Sequence, residues 1–190
     1  MQAFIKTALV AALGLASLGA RAGEIADSSV IANGAVNSSI GLNTKAFQNI
    51  GVAEGNGKIK TTAIIANGAT NTAVGINSTA RQNIGHVSGN GQLTNSVVIV
   101  QGAKNTAGGA FSNATQEIGF AKGNGKVQNS FISAVGAFNT AGGLKATALQ
   151  QIGGATGNGV LRKVDVFANG AVNSAVGLLS SAEQRIGVAR

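Results

Sequence analysis

The chain contains no cysteine, proline, tryptophan or tyrosine, and only 11% of its residues are charged. Without cysteine, neither a disulfide framework nor a thiolate metal site can form, so another device must hold the fold together. Disordered chains are usually rich in proline and charge, so this composition does not match theirs. Glycine is abundant instead, with 29 residues among 190, alongside Asn, Gln and small aliphatic side chains. The composition therefore indicates an ordered chain built from small residues.

The first 22 residues have the pattern of a secretory signal peptide. Lys6 supplies a positive charge, Thr7–Gly19 is an apolar or small run, and Ala20-Arg21-Ala22 is a small-x-small cleavage site. The apolar run is too short for a normal transmembrane helix. We therefore expect residues 1–22 to be removed and a single domain, 23–190, to be exported through a bacterial periplasm. The formal charge of +8 keeps anionic surfaces among the candidate partners, although no basic run exists.

Internal repetition with a fixed period of 34 residues organises the rest of the chain. Gly-Asn-Gly and Gly-Ala-x-Asn recur at this spacing, and so does Gln-x-Ile-Gly. We number the repeats 1 to 5 and call the equivalent positions in successive repeats a column. The repeats are 27–60, 61–94, 95–128, 129–162 and the shorter 163–190.

Alternation within each repeat predicts strands. Around Ala80-Arg81-Gln82, the columns of Ala80 and Gln82 are identical in all five repeats, whereas the column of Arg81 changes freely. Period two is typical of a strand that places fixed and free positions on opposite faces. A further strand is expected from Thr62 to Ala66. The fixed glycines exclude an all-helical repeat, although a short helix over Ala80–Val87 stays open.

Three identical columns predict how the repeats stack. An amide buried alone is costly, but amides stacked about 4.8 Å apart can hydrogen bond to their own copies. The predicted fold is therefore all-β, a β-solenoid of cross-β-like stacked coils, with one coil or two arcs per repeat. The columns are Asn37, Asn71, Asn105, Asn139 and Asn173; Gln48, Gln82, Gln116, Gln150 and Gln184; and Ile50, Ile84, Ile118, Ile152 and Ile186.

Segments of the form Gly-x-x-Asn-x-Ala, such as Gly68–Ala73 and Gly102–Ala107, resemble the repeats of curlin fibre subunits. The later Gln-x-Ile-Gly and Gly-Asn-Gly segment resembles a second, degenerate arc, and is similar to repeats of Fap-type biofilm fibres. The resemblance implies a functional-amyloid fibre of the biofilm matrix, extracellular and attached at the cell surface. It also implies dedicated secretion and nucleation proteins as partners.

The repeat phase at the two termini predicts self-assembly. Gly23 and Ile25 match the last places of a repeat, and Arg190 falls just before Gly-Asn-Gly, with no capping repeat at either side. Uncapped solenoid ends expose strand edges that can template another chain. We therefore expect a head-to-tail homopolymer with Gly23, Ile25 and Arg190 at its junctions.

No catalytic constellation is recognisable in the sequence. His86 is the only histidine and lies in a variable column, so it is expected at the surface, and the six acidic residues share no column. We expect no enzyme activity, no cofactor, no metal and no small-molecule substrate. The alternative function is a soluble binding solenoid. An ice-binding protein would use the Ser38–Thr72–Thr106–Thr140–Ser174 column, and an adhesin would use variable residues such as Lys104, Phe120 and Phe138.

Overall fold

The computed structural model describes residues 24–189. The predicted signal peptide 1–22 and the predicted junction residues Gly23 and Arg190 lie outside the described residues. Residues 24–189 are all-β and form a β-solenoid of about five turns, which confirms the predicted fold class. Among these residues, no helix is long and apolar enough to cross a membrane.

Strands follow one another along the chain with short turns between them. In chain order they are β1 (Glu24–Ala26), β2 (Ser29–Asn33), β3 (Val36–Ile40), β4 (Lys45–Ile50), β5 (Lys58–Lys60), β6 (Ala63–Asn67), β7 (Thr70–Val74), β8 (Asn77–Ile84), β9 (Gln92–Thr94), β10 (Val97–Gln101), β11 (Lys104–Gly108), β12 (Phe111–Ala121), β13 (Lys126–Val135), β14 (Phe138–Gly142), β15 (Lys145–Ala155), β16 (Val160–Asn169), β17 (Val172–Val176) and β18 (Ser181–Ile186).

All strand pairs in the described residues are parallel and join residues 34 positions apart, such as Asn71 and Asn105. One repeat therefore makes one coil, which answers the question that the sequence left open. Three sheets run along the solenoid. Sheet 1 has the order β1-β5-β9-β13-β10-β6-β2 with β16 beside β13, sheet 2 is β17-β14-β11-β7-β3, and sheet 3 is β18-β15-β12-β8-β4.

Each coil encloses two core compartments of different chemistry. Between sheets 2 and 3 lies a narrow compartment of buried alanines, such as Ala73 and Ala80, into which the Asn and Gln columns also project. A wider aliphatic compartment lies against sheet 1 and contains Ile84, Leu93 and Val98. Because alanine side chains are short, the amides in the narrow compartment reach backbone carbonyls of the opposite strand.

The local predictions need three corrections. The strand expected at Thr62–Ala66 is β6, one residue later in the chain. The segment Ala80–Val87, for which a short helix stayed open, begins within strand β8 instead. The alternation of buried and exposed residues holds up to Gln82, but the next residue, Asn83, is also buried.

Candidate functional site

The Asn column forms a continuous hydrogen-bonded ladder along the solenoid axis. Each side-chain amide donates from Nδ2 to Oδ1 of the Asn in the following repeat, at 2.7 to 2.8 Å. The same Nδ2 of Asn105 also donates to the backbone carbonyls of Ala80 (3.1 Å) and Thr115 (2.9 Å). These carbonyls fix which side of the amide carries nitrogen, so the ladder has a defined direction from repeat 1 towards repeat 5.

The Gln column forms a second ladder that runs in the opposite direction. Here each Nε2 donates to Oε1 of the Gln in the preceding repeat, at 2.5 to 2.7 Å. The amide of Gln82 is oriented by a further bond from Nε2 to the carbonyl of Ala69, at 3.0 Å. Every internal contact between coils therefore contains at least one side-chain amide hydrogen bond of each direction.

The Ile column packs against sheet 1, and the predicted junction residue Ile25 lies on strand β1 of that sheet. Ile84, Ile118 and Ile152 are fully buried in the aliphatic compartment. Ile25 pairs in register with Ile59 on strand β1 and is partly buried at the start of the described chain.

Complementary groups are left open at the two end faces of the described solenoid. At the repeat 1 face, Asn37 Oδ1 accepts no hydrogen bond from residues 24–189, and Gln48 Nε2 donates to no other glutamine. At the repeat 5 face, Gln184 Oε1 accepts none, and Asn173 donates to backbone carbonyls alone within the described residues. Within residues 24–189, each end face thus has one amide oxygen that accepts no hydrogen bond and one amide nitrogen that donates to backbone carbonyls but to no ladder partner.

The interior of repeat 5 is open to solvent in the described part of the chain. Ile186 is 44% exposed, although Ile152 in the same column is fully buried. Gln184 is likewise exposed, whereas Gln150 is buried. Apolar and amide groups that form the core elsewhere therefore lie at a surface.

A corner column places opposite charges at the two ends. This corner precedes β2, β6 and β10, and its residues have positive φ between 47° and 51°. The column reads Asp27, Thr61, Asn95, Asn129 and Lys163, so charges occur in the first and last repeats alone. Both Asp27 and Lys163 are exposed. The pattern is visible when the repeats are aligned, but the column is not identical between repeats, so residue identity does not mark it.

The structure corrects the expected positions of two variable-column residues. His86, expected at the surface, is 5% exposed, and Phe120, expected to be available for contact, is 2% exposed. Their rings stack almost in parallel with centroids 6.4 Å apart. Lys104 and Phe138, the other residues expected at a contact surface, are exposed on sheet 2.

A buried charged cluster surrounds this ring pair. Glu117 has no exposed side-chain surface, forms an ion pair with Lys122, and places Oε2 3.3 Å from Nδ1 of His86. With its amide oriented to satisfy both atoms, Gln151 donates to Oε1 of Glu117 at 3.1 Å. The sequence did not indicate this cluster, because its members lie in three different columns.

Burial lowers the pKa of His86 from 6.5 to about 4. The carboxylate of Glu117 raises the pKa but does not offset desolvation, and Lys122 and Arg81 lower it further. His86 is therefore neutral at pH 7 in the folded chain. The unfolded chain takes up this proton first on acidification, so stability falls as the pH drops from 6.5 towards 4.

We expect the substitution His86→Val to remove this acid sensitivity. The loss attributable to His86 between pH 7 and pH 4 is about 3 kcal/mol, because burial lowers the pKa of His86 from 6.5 to about 4 in the folded chain. Valine is the matched replacement because Val52 and Val188 occupy the same column. Urea denaturation at both pH values measures the difference, and an equal pH dependence in the parent and the variant would contradict the assignment.

The hydroxyl column predicted for ice binding faces outward from sheet 2 as a single row. Its neighbours on that face are the columns of Val36 and Ile40, which contain apolar side chains. Among residues 24–189, no group of three or more His, Cys, Asp or Glu side chains is placed to hold a metal ion. Comparison of the chain with protein-family models, curated proteins and solved structures found no match.

Proposed function

We propose that this chain is a structural subunit of an extracellular bacterial fibre that grows by head-to-tail addition. The observation that carries the proposal is the pair of oppositely directed amide ladders, which end at the two end faces of residues 24–189. In this reading the fibre is a curlin-like functional amyloid of the biofilm matrix at the cell surface. The chain is exported through the periplasm, with accessory proteins for secretion and nucleation, and it performs no catalysis.

The junction between two copies would repeat the contact between adjacent coils. With repeat 5 of one copy stacked on repeat 1 of the next, Asn173 donates to Asn37 of the next copy. Gln48 of the next copy donates back to Gln184. Both bonds have the direction seen at every internal step. The open edges of the three parallel sheets supply backbone donors and acceptors in the same register.

Stacking the two faces in the reverse sense would lose this match. A two-fold contact of repeat 1 with repeat 1 would set the edge strands antiparallel, so the Asn and Gln columns would lose the parallel register that they have at every internal step. A head-to-tail contact is heterologous, and with coils that continue along one axis it gives an open filament rather than a closed ring.

The corner column adds charge complementarity to the same junction. In the head-to-tail junction, Lys163 of one copy lies in register with Asp27 of the next copy. Within one copy, no two adjacent residues of this column are both charged. Exposed ion pairs contribute only about 0–1 kcal/mol, so the pair selects polarity and speeds docking more than it adds affinity.

The first test is electron microscopy of the chain from Gly23 onward, incubated in dilute buffer with thioflavin fluorescence recorded in parallel. Long unbranched filaments that bind the dye are expected. A persistent monodisperse monomer would overturn the proposal and favour the soluble binding functions, ice binding or adhesion.

Charge substitution at the junction gives a sharper test. The variant Lys163→Asp places like charges across the junction, and we expect filament elongation at low salt to slow on the order of tenfold. Adding Asp27→Lys restores opposite charges and is expected to restore the rate. Both sites are exposed corners, so subunit stability should change little. Equal elongation rates for the single and double variants would exclude this junction.

A further inference from the structure

Asn-Gly dipeptides recur through the chain, and they are the places where an asparagine side chain is chemically least durable. The backbone nitrogen of the glycine can attack Cγ of the asparagine, because glycine has no Cβ atom to obstruct the succinimide ring that forms. A folded structure slows this reaction where it holds the asparagine amide or the glycine N–H in place. The pairs begin at Asn33, Asn56, Asn67, Asn90, Asn124, Asn158 and Asn169.

Four of these pairs lie in the Gly-Asn-Gly turns, where two kinds of contact restrain them. Their amides form a further ladder, with distances from Nδ2 to Oδ1 of 2.7 to 2.9 Å. The glycine after each asparagine packs against the residue four positions before it, such as Ala53 or Ala155, and a Cβ atom on the glycine would lie 2.5 to 2.8 Å from that residue. The glycine nitrogen therefore cannot swing towards the side chain without displacing these atoms.

Two more pairs follow strands β2 and β6 and are restrained by neighbouring coils. The N–H of Gly34 donates to the carbonyl of Asn67 at 2.7 Å, and the N–H of Gly68 donates to that of Gln101 at 2.8 Å. The side-chain amide of Asn67 donates to Oδ1 of Asn33 at 2.9 Å. In both pairs, the attacking nitrogen and the asparagine amide are therefore held by hydrogen bonds.

The pair Asn169-Gly170, which follows strand β16, has neither restraint. Both residues are exposed, and within residues 24–189 the Asn169 amide forms no hydrogen bond and the N–H of Gly170 has no acceptor. The preceding residue of the Asn169 column is Val135, which offers no amide partner. The backbone carbonyl of Asn169 accepts from Gly136 at 2.8 Å, but this bond does not hold the attacking nitrogen. A Cβ atom on Gly170 would meet no atom closer than 3.8 Å, so the corner has room to turn.

We propose that Asn169 is a deamidation site that reacts in the free subunit and is protected by assembly. The Gly170 nitrogen loses its proton to water and bonds to Cγ of Asn169, the bond from Cγ to Nδ2 breaks, and ammonia leaves with a proton taken from water. A water molecule then opens the succinimide ring. Opening at Cγ gives aspartate, whereas opening at the backbone carbonyl gives isoaspartate, which inserts an additional carbon atom into the backbone.

Protection follows from the head-to-tail junction, so this part of the inference rests on the proposed fibre function. With repeat 1 of the next copy stacked on repeat 5, the N–H of Gly170 donates to the carbonyl of Asn33 of the next copy, as Gly34 donates to Asn67 within one copy. The Asn33 amide of the next copy donates to Oδ1 of Asn169, as Asn67 donates to Asn33. Isoaspartate formed before assembly displaces both groups. An aged subunit then joins a filament through repeat 1 but blocks the next addition at repeat 5.

Peptide mapping of the dilute, unassembled chain measures the reaction directly. Trypsin releases residues 164–185, in which fragment ions separate deamidation at Asn169 from that at Asn173. We expect Asn169 to react at least about fivefold faster than Asn67 or any turn asparagine, because those pairs must first break hydrogen bonds. In filaments the rate at Asn169 should fall by a similar factor. Equal rates at Asn169 and Asn67 in the free chain would overturn the site, and equal rates at Asn169 in free chain and filament would overturn its protection.

Two substitutions in the Asn169 column are matched controls for the effect on growth. Asn169→Gln introduces the residue found at Gln101 and keeps an amide, but it cyclises far more slowly because a larger ring must close. Asn67→Gln removes another Asn-Gly pair and leaves Asn169 in place. After ageing without assembly, the parent and Asn67→Gln should give filaments at least about twofold shorter than fresh subunits, because growth at one of the two ends is blocked. Aged Asn169→Gln should give filaments of full length.

Electron microscopy of filament lengths separates the possible outcomes. Equal shortening of the aged parent and aged Asn169→Gln would assign the loss to another change and overturn the effect of deamidation on growth, although filaments still form. Absence of filaments from fresh subunits would overturn the proposed function and, with it, the protection by assembly. The peptide map of the free chain decides the deamidation site in either case.

Discussion

Replacing Gly143 with alanine is expected to lower the free energy of unfolding by at least about 3 kcal/mol, while the same change at its neighbour Gly142 is expected to be almost neutral. A Cβ atom on Gly143 would lie 1.5 Å from the carbonyl oxygen of Gly109 in the preceding repeat. Gly143 also has φ of 150°, a conformation that side chains rarely adopt. The obstructing atom belongs to the backbone of the adjacent coil, so no side-chain rotation can relieve the clash.

Gly142 is the internal control for this prediction. It lies in extended strand β14, where a Cβ atom meets nothing within 4 Å, and its column contains Ile40, Val74 and Val176. Alanine there reduces the entropy of the unfolded chain and should change stability by no more than about 1 kcal/mol in the favourable direction. Urea denaturation of the two single variants gives the comparison. Similar stabilities would mean that the coils can separate locally at the Gly143 corner.

The fold could be predicted from the sequence because stacked coils place equivalent residues in contact, so that an identical residue in every repeat indicates stacking. A residue such as Asn105 contacts its own equivalents above and below, so a buried amide at this position favours the same amide in every repeat. The fixed spacing of 34 residues therefore carries the register of all three sheets. The division into two compartments was not predictable, because it depends on how far each coil bends at its corners.

The buried cluster shows where inference from identity fails. Glu117 and His86 lie in variable columns, and variation within a column predicts exposure, yet both side chains are buried. At Gly119, φ is 58° and the chain changes direction. The columns of His86 and Lys122 therefore lie against the strand face that carries Glu117 and cover its side chain. In this cluster, side chains of different type from neighbouring repeats contact one another. A column can therefore vary in sequence although its residues are buried.

Substitution of Asn105 is expected to have the second large effect. Its Nδ2 donates to the carbonyls of Ala80 and Thr115 and to Asn139, and its Oδ1 accepts from Asn71 at 2.8 Å. In the variant Asn105→Ala these groups lose a partner in a compartment that excludes water. Each buried unsatisfied group costs about 1–3 kcal/mol, so a loss of about 4 kcal/mol is expected.

The adjacent residue supplies the control for the amide ladder. Lys104 lies on the same strand, β11, with its side chain exposed on the opposite face, so Lys104→Ala should cost less than about 0.5 kcal/mol. Thr115→Ala, beside Gln116, serves the same purpose on sheet 3. Urea denaturation and the lag time of filament formation are the measurements. Comparable losses for Asn105→Ala and Lys104→Ala would contradict the separation of the strand into a buried and an exposed face.

A third variant separates hydrogen bonding from packing. Aspartate at position 105 has the volume of asparagine but lacks the amide donor, so Asn105→Asp leaves no cavity and sets a carboxylate oxygen against the carbonyls of Ala80 and Thr115. If the ladder stabilises the coil through its donors, Asn105→Asp destabilises at pH 7 by at least as much as Asn105→Ala. A mild effect of aspartate beside a large effect of alanine would assign the column to space filling. The direction of the ladder would then no longer favour the head-to-tail junction, because the two ends of the amide column differ only in which atoms donate and which accept hydrogen bonds.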